Sequence, residues 1–201
     1  ALLQKVGTPT VALALHDADD VPAGRVSLLP GFAYANVDSV DVIVYGKGGH
    51  GARPHETVDP VVVGAEIVSA LQTIVSRRVA PGEPAVITVG RFAAGTKHNI
   101  IASQAELLIT VRSYSDETRR LLLREIERVV KNVAAAHKVP RAPSVTVLDE
   151  YTPAAYNDPE WTTKLRERFT EVLGPARVET HVAQMGGEDF GQFSRQLKIP
   201  G

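Results

Sequence analysis

Two hydrophobic periods alternate along residues 39–148, and their order constrains the fold of this chain more than any other sequence feature. Four segments alternate apolar and polar residues with the period of two typical of half-buried strands, and two others repeat apolar residues at helical spacing. The resulting order is strand, helix, strand, strand, helix, strand, over residues 39–45, 61–77, 85–92, 105–112, 119–137 and 144–148. We therefore predict an α/β (α+β) domain of the ferredoxin-like, split β-α-β class, in which an antiparallel sheet carries both helices on one face.

The segments on either side of this domain have a different character. Residues 6–15 are a short apolar run that indicates a buried strand, with His16 at its C-terminal end. After Glu150, a connector rich in Pro, Ala and Asn leads to a helix that begins at Asp158. A short strand and a turn that enters a last helix complete the pattern.

This layout predicts three segments. Residues 39–149 form a contiguous domain that is inserted between two pieces of another α/β domain, residues 1–38 and 150–201. Because the chain opens in mid-pattern and ends without a closing element, we expect it to be a fragment.

Composition narrows the classes of function. The 201 residues carry 22 Lys and Arg against 23 Asp and Glu, and this balance gives no electrostatic footprint for nucleic acid or an anionic membrane. No apolar run approaches the ~20 residues of a membrane span. The first residues lack the basic leader and cleavage site of a signal peptide, so we expect a cytoplasmic protein. Because the chain has no Cys, any metal must be held by His, Asp and Glu.

The segment from Gly48 to His55 is the first candidate site. Its glycines permit close backbone approach and an exposed His50 imidazole, which suits oxyanion stabilisation or contact with a ligand. A hairpin-like turn with two surface histidines explains the same residues, and composition alone favours that explanation.

A loop and the strand after it supply a second candidate. Asn99 follows His98 in a glycine-containing loop, and Arg112 lies at a strand end. An amide donor and a guanidinium suit a clamp for a carboxylate or a polarised carbonyl. Taken alone, a turn-forming Asn and a solvated Arg are the simpler explanation.

The flanking segments supply two more candidates. His16 lies just past a strand end, where sites in α/β proteins usually lie, although a lone His is more often structural than a metal ligand. Gly187, Glu188 and Asp189 precede the last helix, and helix capping explains the two carboxylates.

Taken in chain order, these segments resemble a known family. The resemblance is carried by ALHDADD, by GGHGARPHETVDP with LQTIVSRR after it, by GTKHNIIASQAELLITVRS, and by PAAYNDPEW and MGGEDFGQF. They are similar to the co-catalytic di-metal amidohydrolases and metallopeptidases, which include hippurate hydrolase, N-acyl-amino-acid amidohydrolases, auxin-conjugate hydrolases and related carboxypeptidases. The resemblance covers nearly the whole chain.

The resemblance implies a subunit with two domains and a homodimer. A catalytic α/β domain would hold two divalent metal ions, zinc, manganese or similar. The inserted domain would serve as the lid and dimerisation domain. The substrate would be a small N-acyl amino acid or peptide with a free carboxylate, and neither nucleic acid nor a membrane would be a partner.

The resemblance also implies roles for single residues. His16 matches a metal ligand, and His50 matches a catalytic lid residue that reaches the active site of the partner subunit. Asn99 would help His50 to stabilise the oxyanion, and Arg112 would hold the substrate carboxylate. Gly187 and Glu188, with Asp189 beside them, match a turn that lines the substrate pocket.

The chain departs from the family pattern in one respect. It contains no Glu-Glu pair, and His16 is the only metal ligand that the resemblance identifies in it. We therefore expect the full-length parent to be a hydrolase, whereas this fragment alone would be inactive and would bind no metal or bind it weakly. The alternative is a non-catalytic, ferredoxin-like dimerisation or interaction module. A ferredoxin-like nucleic-acid binder is disfavoured because the strands lack exposed aromatic residues.

Overall fold

The computed structural model of the protein describes Gly7 and residues 9–201. Contacts divide the chain into two compact units, Val37–Tyr151 and a unit formed by Ala1–Asn36 with Thr152–Gly201. In chain order the strands are β1 (Val26–Leu28), β2 (Gly31–Tyr45), β3 (Gly49–His50), β4 (Ala85–Ala94), β5 (Ile100–Ile101), β6 (Gln104–Ser113), β7 (Ser144–Val147), β8 (Ala155–Asn157), β9 (Val178–Thr180) and β10 (Gln184–Gly187). The α-helices are α1 (Pro60–Arg78), α2 (Asp116–Ala136), α3 (Pro159–Leu173) and α4 (Gly191–Leu197).

The Val37–Tyr151 unit is built on a four-stranded sheet. Its strands lie in the order β7, β2, β6, β4. β4 and β6 are antiparallel, with Ala85 opposite Ser113 and Ala94 opposite Ala105, and a bulge follows Val89. β7 runs antiparallel to β2. The strand order and the two intervening helices match a split β-α-β arrangement, so the predicted fold class is confirmed.

Both helices of this unit pack on the sheet and on each other. Alternate residues of β6 are buried, because strand side chains point to opposite faces of a sheet. The core also takes the buried stripes of α1 and α2, and its fully buried side chains include Val40, Val42, Val44, Ile67, Leu71, Ile74, Leu107, Val111, Leu122, Ile126 and Val130. Each such side chain contributes roughly 1.5–3 kcal/mol of transfer free energy, so this layer dominates the stability of the unit.

Helix α1 is long and apolar enough to meet the criteria for a membrane span, with a mean hydropathy of 1.2 over its best window. The sequence analysis found no apolar run of that length. In the structure one face of α1 is buried in the core through Val63, Ile67, Leu71 and Ile74. The core helix of a folded domain passes the same test, and this packing accounts for the composition of α1.

A side chain from the preceding loop caps the N-terminus of each helix. Asp59 Oδ1 accepts a hydrogen bond from the Val61 N–H at 2.8 Å, as its position before Pro60 predicts. In α2 the cap is Ser115, whose Oγ accepts from the Thr118 N–H at 3.1 Å. The residue type of Asp116 also predicts an N-cap. That prediction is wrong, because Ser115 has the extended backbone of the cap position and Asp116 is the first residue of the helix.

A buried ion pair holds the ends of this unit to α2. The Asp38 side chain has no exposed area, and Arg119 binds it with two hydrogen bonds of 2.8 and 2.6 Å. The Arg119 guanidinium also lies 4.0 Å from the centre of the Tyr151 ring. The hydrogen bonds to Asp38 raise the pKa of Arg119. The chain enters and leaves the unit beside these residues, and α2 fixes both points.

The second unit has short strands and two helices. β1 pairs in parallel with β9. The first residues of β2 pair with β8 on one side and β10 on the other. Helix α3 starts where the sequence predicts, with Asp158 as its N-cap. The Asp158 Oδ1 accepts a hydrogen bond from the Trp161 N–H at 2.9 Å.

The prediction of a strand over residues 6–15 was wrong for Gly7 and residues 9–15, which the structure describes. Val6 and Thr8 lie outside the described residues, and the described part of this segment forms no strand. A strand needs a ladder of hydrogen bonds with a neighbour. Here Ala12 donates one backbone hydrogen bond, to the Pro200 carbonyl at 3.0 Å.

We predict that Arg119→Met strongly destabilises the Val37–Tyr151 unit. It would leave the buried Asp38 carboxylate without its partner, a loss of about 3–5 kcal/mol in the free energy of unfolding. Chemical denaturation of the full chain, followed by circular dichroism, measures this loss. Arg128→Met is the matched control, because it breaks a bidentate pair with Glu125 on an exposed helix face and costs far less. Equal losses for the two variants would contradict the assigned role of Asp38.

Candidate functional site

The His50 ring is held in one tautomer. His50 is exposed at the end of β3, and its Nδ1 accepts a hydrogen bond from the Ala52 N–H at 3.1 Å. A ring nitrogen that accepts carries no proton in the neutral imidazole, so the proton is on Nε2. The exposed loop therefore presents a preorganised N–H donor, which suits a developing negative charge on an oxygen.

Strand pairing brings His50 and Asn99 together. β3 is antiparallel to β5, with His50 opposite Ile100. The Gly51 N–H donates to the Asn99 carbonyl at 2.8 Å. Two candidates 49 positions apart in sequence thus share one end of the unit.

Two glycines permit this approach. A Cβ atom on Gly51 would lie 3.1 Å from the Asn99 carbonyl oxygen, and one on Gly48 would lie 2.8 Å from that of Ile101. Backbone atoms cannot move aside as flexible side chains can. Any side chain at Gly48 would therefore push β3 and β5 apart.

Arg112 lies at the other end of the sheet. The loop that contains Asn99 joins β4 to β6 at the end of the hairpin where Ala94 lies opposite Ala105. Arg112 pairs with Val86, near the opposite end of the hairpin. Seven residues of strand separate Ala105 from Arg112, which is about 24 Å at ~3.4 Å per residue. A single chain therefore does not form the clamp that Asn99 and Arg112 suggested in the sequence.

The other unit brings together His16 and Glu188. His16 Nε2 lies 3.0 Å from Glu188 Oε2, and the imidazole stacks on the Tyr34 ring at 5.6 Å between centroids. The second oxygen of Glu188 accepts a hydrogen bond from the Phe190 N–H at 3.0 Å. The prediction that the carboxylates cap the last helix was wrong, because Phe190 occupies the cap position of α4 and no side chain caps it. Gly187 ends β10 directly before Glu188. His16, Glu188 and Asp189 line a cleft of about 650 Å³ with mostly apolar walls, whereas Gly187 does not line it.

The electrostatic field around His16 is negative. The backbone carbonyl of Asp17 accepts from the imidazole and, with the Glu188 carboxylate, raises the pKa of His16. Burial, with the nearby Glu188, Asp20 and Asp17 carboxylates, raises the pKa of Tyr34. The site attracts a cation, and a metal ion would compete with a proton for His16.

His16 and Glu188 do not by themselves form a two-metal centre. Within residues 9–201 and Gly7, no group of three or more His, Asp or Glu side chains is placed to hold a metal ion. A metal site in a protein needs three or four such donors per ion. The described residues offer one imidazole and one carboxylate toward such a centre.

One histidine cluster was missed by the sequence analysis. Ser27 Oγ lies 3.1 Å from His181 Nδ1, and Gln184 Nε2 lies 3.3 Å from His181 Nε2. Gln184 Nε2 also donates to Asp20. An amide donor at Nε2 leaves the ring proton on Nδ1, so His181 donates to Ser27 and does not activate it as a nucleophile. Ser27 and His181 are 154 positions apart, and only the pairing of β1 with β9 brings them together.

Comparison with known proteins assigns the family. The model of the peptidase dimerisation domain of the M20 family matches residues 32–138, which is more than half of the chain. The chain belongs to the M20 peptidase family. The M20 domain match covers β2 through α2 and therefore includes His50, Asn99 and Arg112.

Relatives in the M20 family include amide-cleaving enzymes. The chain is 41% identical to the Bacillus subtilis protein YhaA over 177 residues, which are 88% of this chain and 44% of that protein. It is 36% identical to the N-acetyldiaminopimelate deacetylase of Brevibacillus brevis over 193 residues, 96% of this chain and 50% of that enzyme. Among solved structures, the Bacillus subtilis YXEP protein, described as a dinuclear metal-binding M20 peptidase, superposes with a TM-score of 0.69 at 28% identity, covering 92% of this chain and 44% of that one. The chain spans about half the length of the curated relatives it matches.

We predict that Gly48→Ala separates the His50 and Asn99 loops. The added Cβ would meet the Ile101 carbonyl oxygen at 2.8 Å, so β3 would move away from β5. The Gly51 amide, which donates to Asn99, should then exchange with solvent about five- to tenfold faster, because a lost hydrogen bond costs about 1–1.5 kcal/mol.

Hydrogen exchange followed by NMR or mass spectrometry measures this change. Gly90→Ala is the matched control, because its nearest neighbour would lie 3.9 Å from the new Cβ, an ordinary contact. Unchanged exchange at Gly51 in the Gly48→Ala variant would mean that the pairing does not depend on this glycine.

Proposed function

We propose that this chain is part of a homodimeric, metal-dependent M20 hydrolase that cleaves the amide bond of N-acyl amino acids or small peptides with a free carboxylate. Family membership supports the amidohydrolase class, and the N-acetyldiaminopimelate deacetylase among the relatives supports an N-acyl amino acid as substrate. The single observation that carries the proposal is the pairing of β3 with β5, which brings His50 and Asn99 to one exposed end of the dimerisation domain.

His50 and Asn99 would stabilise the oxyanion of amide hydrolysis. Attack of water on the scissile carbonyl places negative charge on its oxygen, and donors already oriented toward that oxygen lower the barrier. The Nε2–H of His50 is held in such an orientation by the Ala52 amide, and the side-chain amide of Asn99 would be the second donor. The Ala52 amide keeps the His50 proton on Nε2, so no ring flip or proton transfer is needed first.

Arg112 would bind the free carboxylate of the amino acid part. A guanidinium binds a carboxylate with two parallel hydrogen bonds, which selects substrates that end in a free acid. Because Arg112 lies about 24 Å along the strand from the loop of Asn99, one small substrate cannot reach both in one subunit. We therefore place Arg112 of one subunit and His50 and Asn99 of its partner at the same active site.

His16 would contribute one ligand to a pair of divalent metal ions, whose remaining ligands lie in parts of the parent protein outside this chain. Bound ions of this kind activate a water molecule and polarise the carbonyl. Glu188 would line the substrate pocket beside His16. With so few ligands, this chain alone would act as a dimerisation module without catalysis, which is the alternative function.

The homodimer would form along β4 and α1. β4 is the last strand of the sheet, and a ten-residue strand edge presents unpaired backbone groups that a second copy can pair. Phe92 on β4 and Val62 on α1 are 39% and 55% exposed. Apolar side chains on both elements would form the buried centre of the two-fold interface, from which water is excluded.

The shared site predicts complementation between two inactive variants of the full-length parent. His50→Ala and Arg112→Met should each lower turnover of an N-acyl amino acid by about 10²–10³-fold. Mixing the two under conditions of subunit exchange should restore up to one working site per heterodimer, from intact Arg112 of one subunit and intact His50 of the other. A mixture that stays inactive after exchange is confirmed by mass spectrometry would disprove the arrangement.

The proposed interface predicts that the double variant Val62→Asp/Phe92→Asp is monomeric. Four carboxylates buried at the two-fold axis would cost several kcal/mol, because charges lose their hydration there. Light scattering coupled to size-exclusion chromatography measures the mass. Val172→Asp is the control, since this valine is 80% exposed on α3 and lies outside the proposed interface. A dimeric double variant would place the interface elsewhere.

A further inference from the structure

The loop that carries His50 is closed at its base. Lys47 and Val58 exchange two backbone hydrogen bonds, of 2.9 and 3.0 Å, so the ends of residues 47–58 lie side by side. Inside this bridge, β3 occupies the start of the loop, and a single turn of 3₁₀ helix, Pro54–Glu56, occupies its end. A compact loop whose ends meet is held by contacts between its own residues. The orientation of His50 therefore depends on what joins β3 to the 3₁₀ turn.

Thr57 makes that connection. Its hydroxyl donates to the Pro54 carbonyl at 2.7 Å, and its backbone N–H donates to the same oxygen at 3.1 Å. Its methyl group faces Gly49, because a Cβ atom added to Gly49 would lie 2.8 Å from Thr57 Cγ2. Chain neighbours apart, no other atom of the described residues comes within 4 Å of that position. One half-buried side chain thus holds the 3₁₀ turn and faces the residue that precedes His50.

Backbone hydrogen bonds connect the 3₁₀ turn to His50. The Arg53 N–H donates to the His50 carbonyl at 2.8 Å, and the Glu56 N–H donates to the Arg53 carbonyl at 3.1 Å. Ala52 lies within this segment, and its N–H donates to His50 Nδ1 at 3.1 Å. The donor that fixes the tautomer of the ring is therefore part of the segment that Thr57 closes.

We propose that Thr57 is a positioning residue for His50. Its hydroxyl fixes the 3₁₀ turn, which keeps the Ala52 N–H on His50 Nδ1 and the ring proton on Nε2. Donors stabilise a developing charge best when they are oriented before it forms, because no reorganisation is then needed. Thr57 acts through His50 and contacts no reacting atom. The consequence for catalysis rests on the proposed function, in which His50 stabilises the oxyanion, whereas the consequence for the ring does not.

Two substitutions in this 201-residue chain separate the hydroxyl of Thr57 from its methyl group. Thr57→Val keeps the shape and removes the hydroxyl, and we expect it to speed hydrogen exchange of the Ala52 amide about five- to tenfold. ¹⁵N NMR of the His50 ring in alkaline buffer, where free imidazole is neutral, should show a larger share of the Nδ1–H tautomer. Thr57→Ser keeps the hydroxyl and should leave both measurements close to those of the wild-type chain.

The contact can also be tested from β3. Gly49→Ala would place a methyl group 2.8 Å from Thr57 Cγ2 and displace the Thr57 side chain, so exchange of the Ala52 amide should speed up as in Thr57→Val. Adding Thr57→Ser removes Cγ2 and makes room for the new methyl group. The double variant should therefore exchange more slowly than Gly49→Ala alone, a non-additivity typical of residues in direct contact.

Thr170→Val is the matched control. Thr170 is also half-buried, and its hydroxyl also donates to a backbone carbonyl at 2.7 Å, that of Arg166 on α3 in the other unit. Because it removes the same kind of hydrogen bond away from the loop, this variant should change neither the exchange of the Ala52 amide nor the tautomer of His50.

Turnover by the full-length parent separates failure of this inference from failure of the proposed function. We expect Thr57→Val to lower kcat for an N-acyl amino acid about five- to tenfold with KM unchanged, and Thr57→Ser to keep most of the activity. An unchanged kcat in an active parent rejects the consequence for catalysis. If the wild-type parent cleaves no such substrate, the proposed function fails, and the exchange and NMR measurements still decide the role of Thr57.

Four results of those measurements would overturn that role. Thr57→Val could change neither the exchange of the Ala52 amide nor the tautomer, or it could speed exchange equally throughout the Val37–Tyr151 unit, which is a loss of general stability. Thr57→Ser could have the same effect as Thr57→Val, in which case the hydroxyl is not responsible. The double variant could exchange as fast as Gly49→Ala alone, in which case the two side chains do not meet.

Discussion

Burial of one face of a four-stranded sheet under two helices is the constraint on which the rest of this dimerisation domain depends. The alternate residues of β2 and β6 that face α1 and α2 have almost no exposed area. This layer fixes the strand order, and the strand order fixes which loops meet at each end of the sheet. The ends and the outer edge are left free, and these are the places where His50, Asn99, Arg112 and β4 lie. The packing of the core thus decides the positions of groups that contribute nothing to it.

Much of this architecture could be predicted from periodicity. The six elements of the domain appear at their expected positions, because each has a strong period of two or of 3.6. The first half of β2 could not be predicted. Its buried positions are occupied by Ala33, Ala35, Asn36 and Asp38, and no hydrophobic pattern marks them. Asp38 can be buried there only because Arg119, 81 residues later in the chain, supplies the opposite charge.

The sequence suggests the residues of the candidate site one by one, but it does not predict their arrangement. The glycine-rich turn singled out His50, and the loop of the hairpin singled out Asn99. Their proximity depends on a two-residue strand pair between β3 and β5, which is too short to leave a periodic signal. The separation of Asn99 from Arg112 follows from the register of β4 and β6, which sequence does not specify. That separation is the reason why we propose a site shared by two chains in place of a clamp within one chain.

The proposed shared site would make activity a property of the dimer. The most direct test of this account is the specific activity of the full-length parent toward an N-acyl amino acid, measured as the protein is diluted through the dissociation constant of its dimer. We expect activity per subunit to fall with the same midpoint as the dimer fraction, because a monomer lacks its partner's His50 and Asn99. Full activity in dilute monomers would contradict the account.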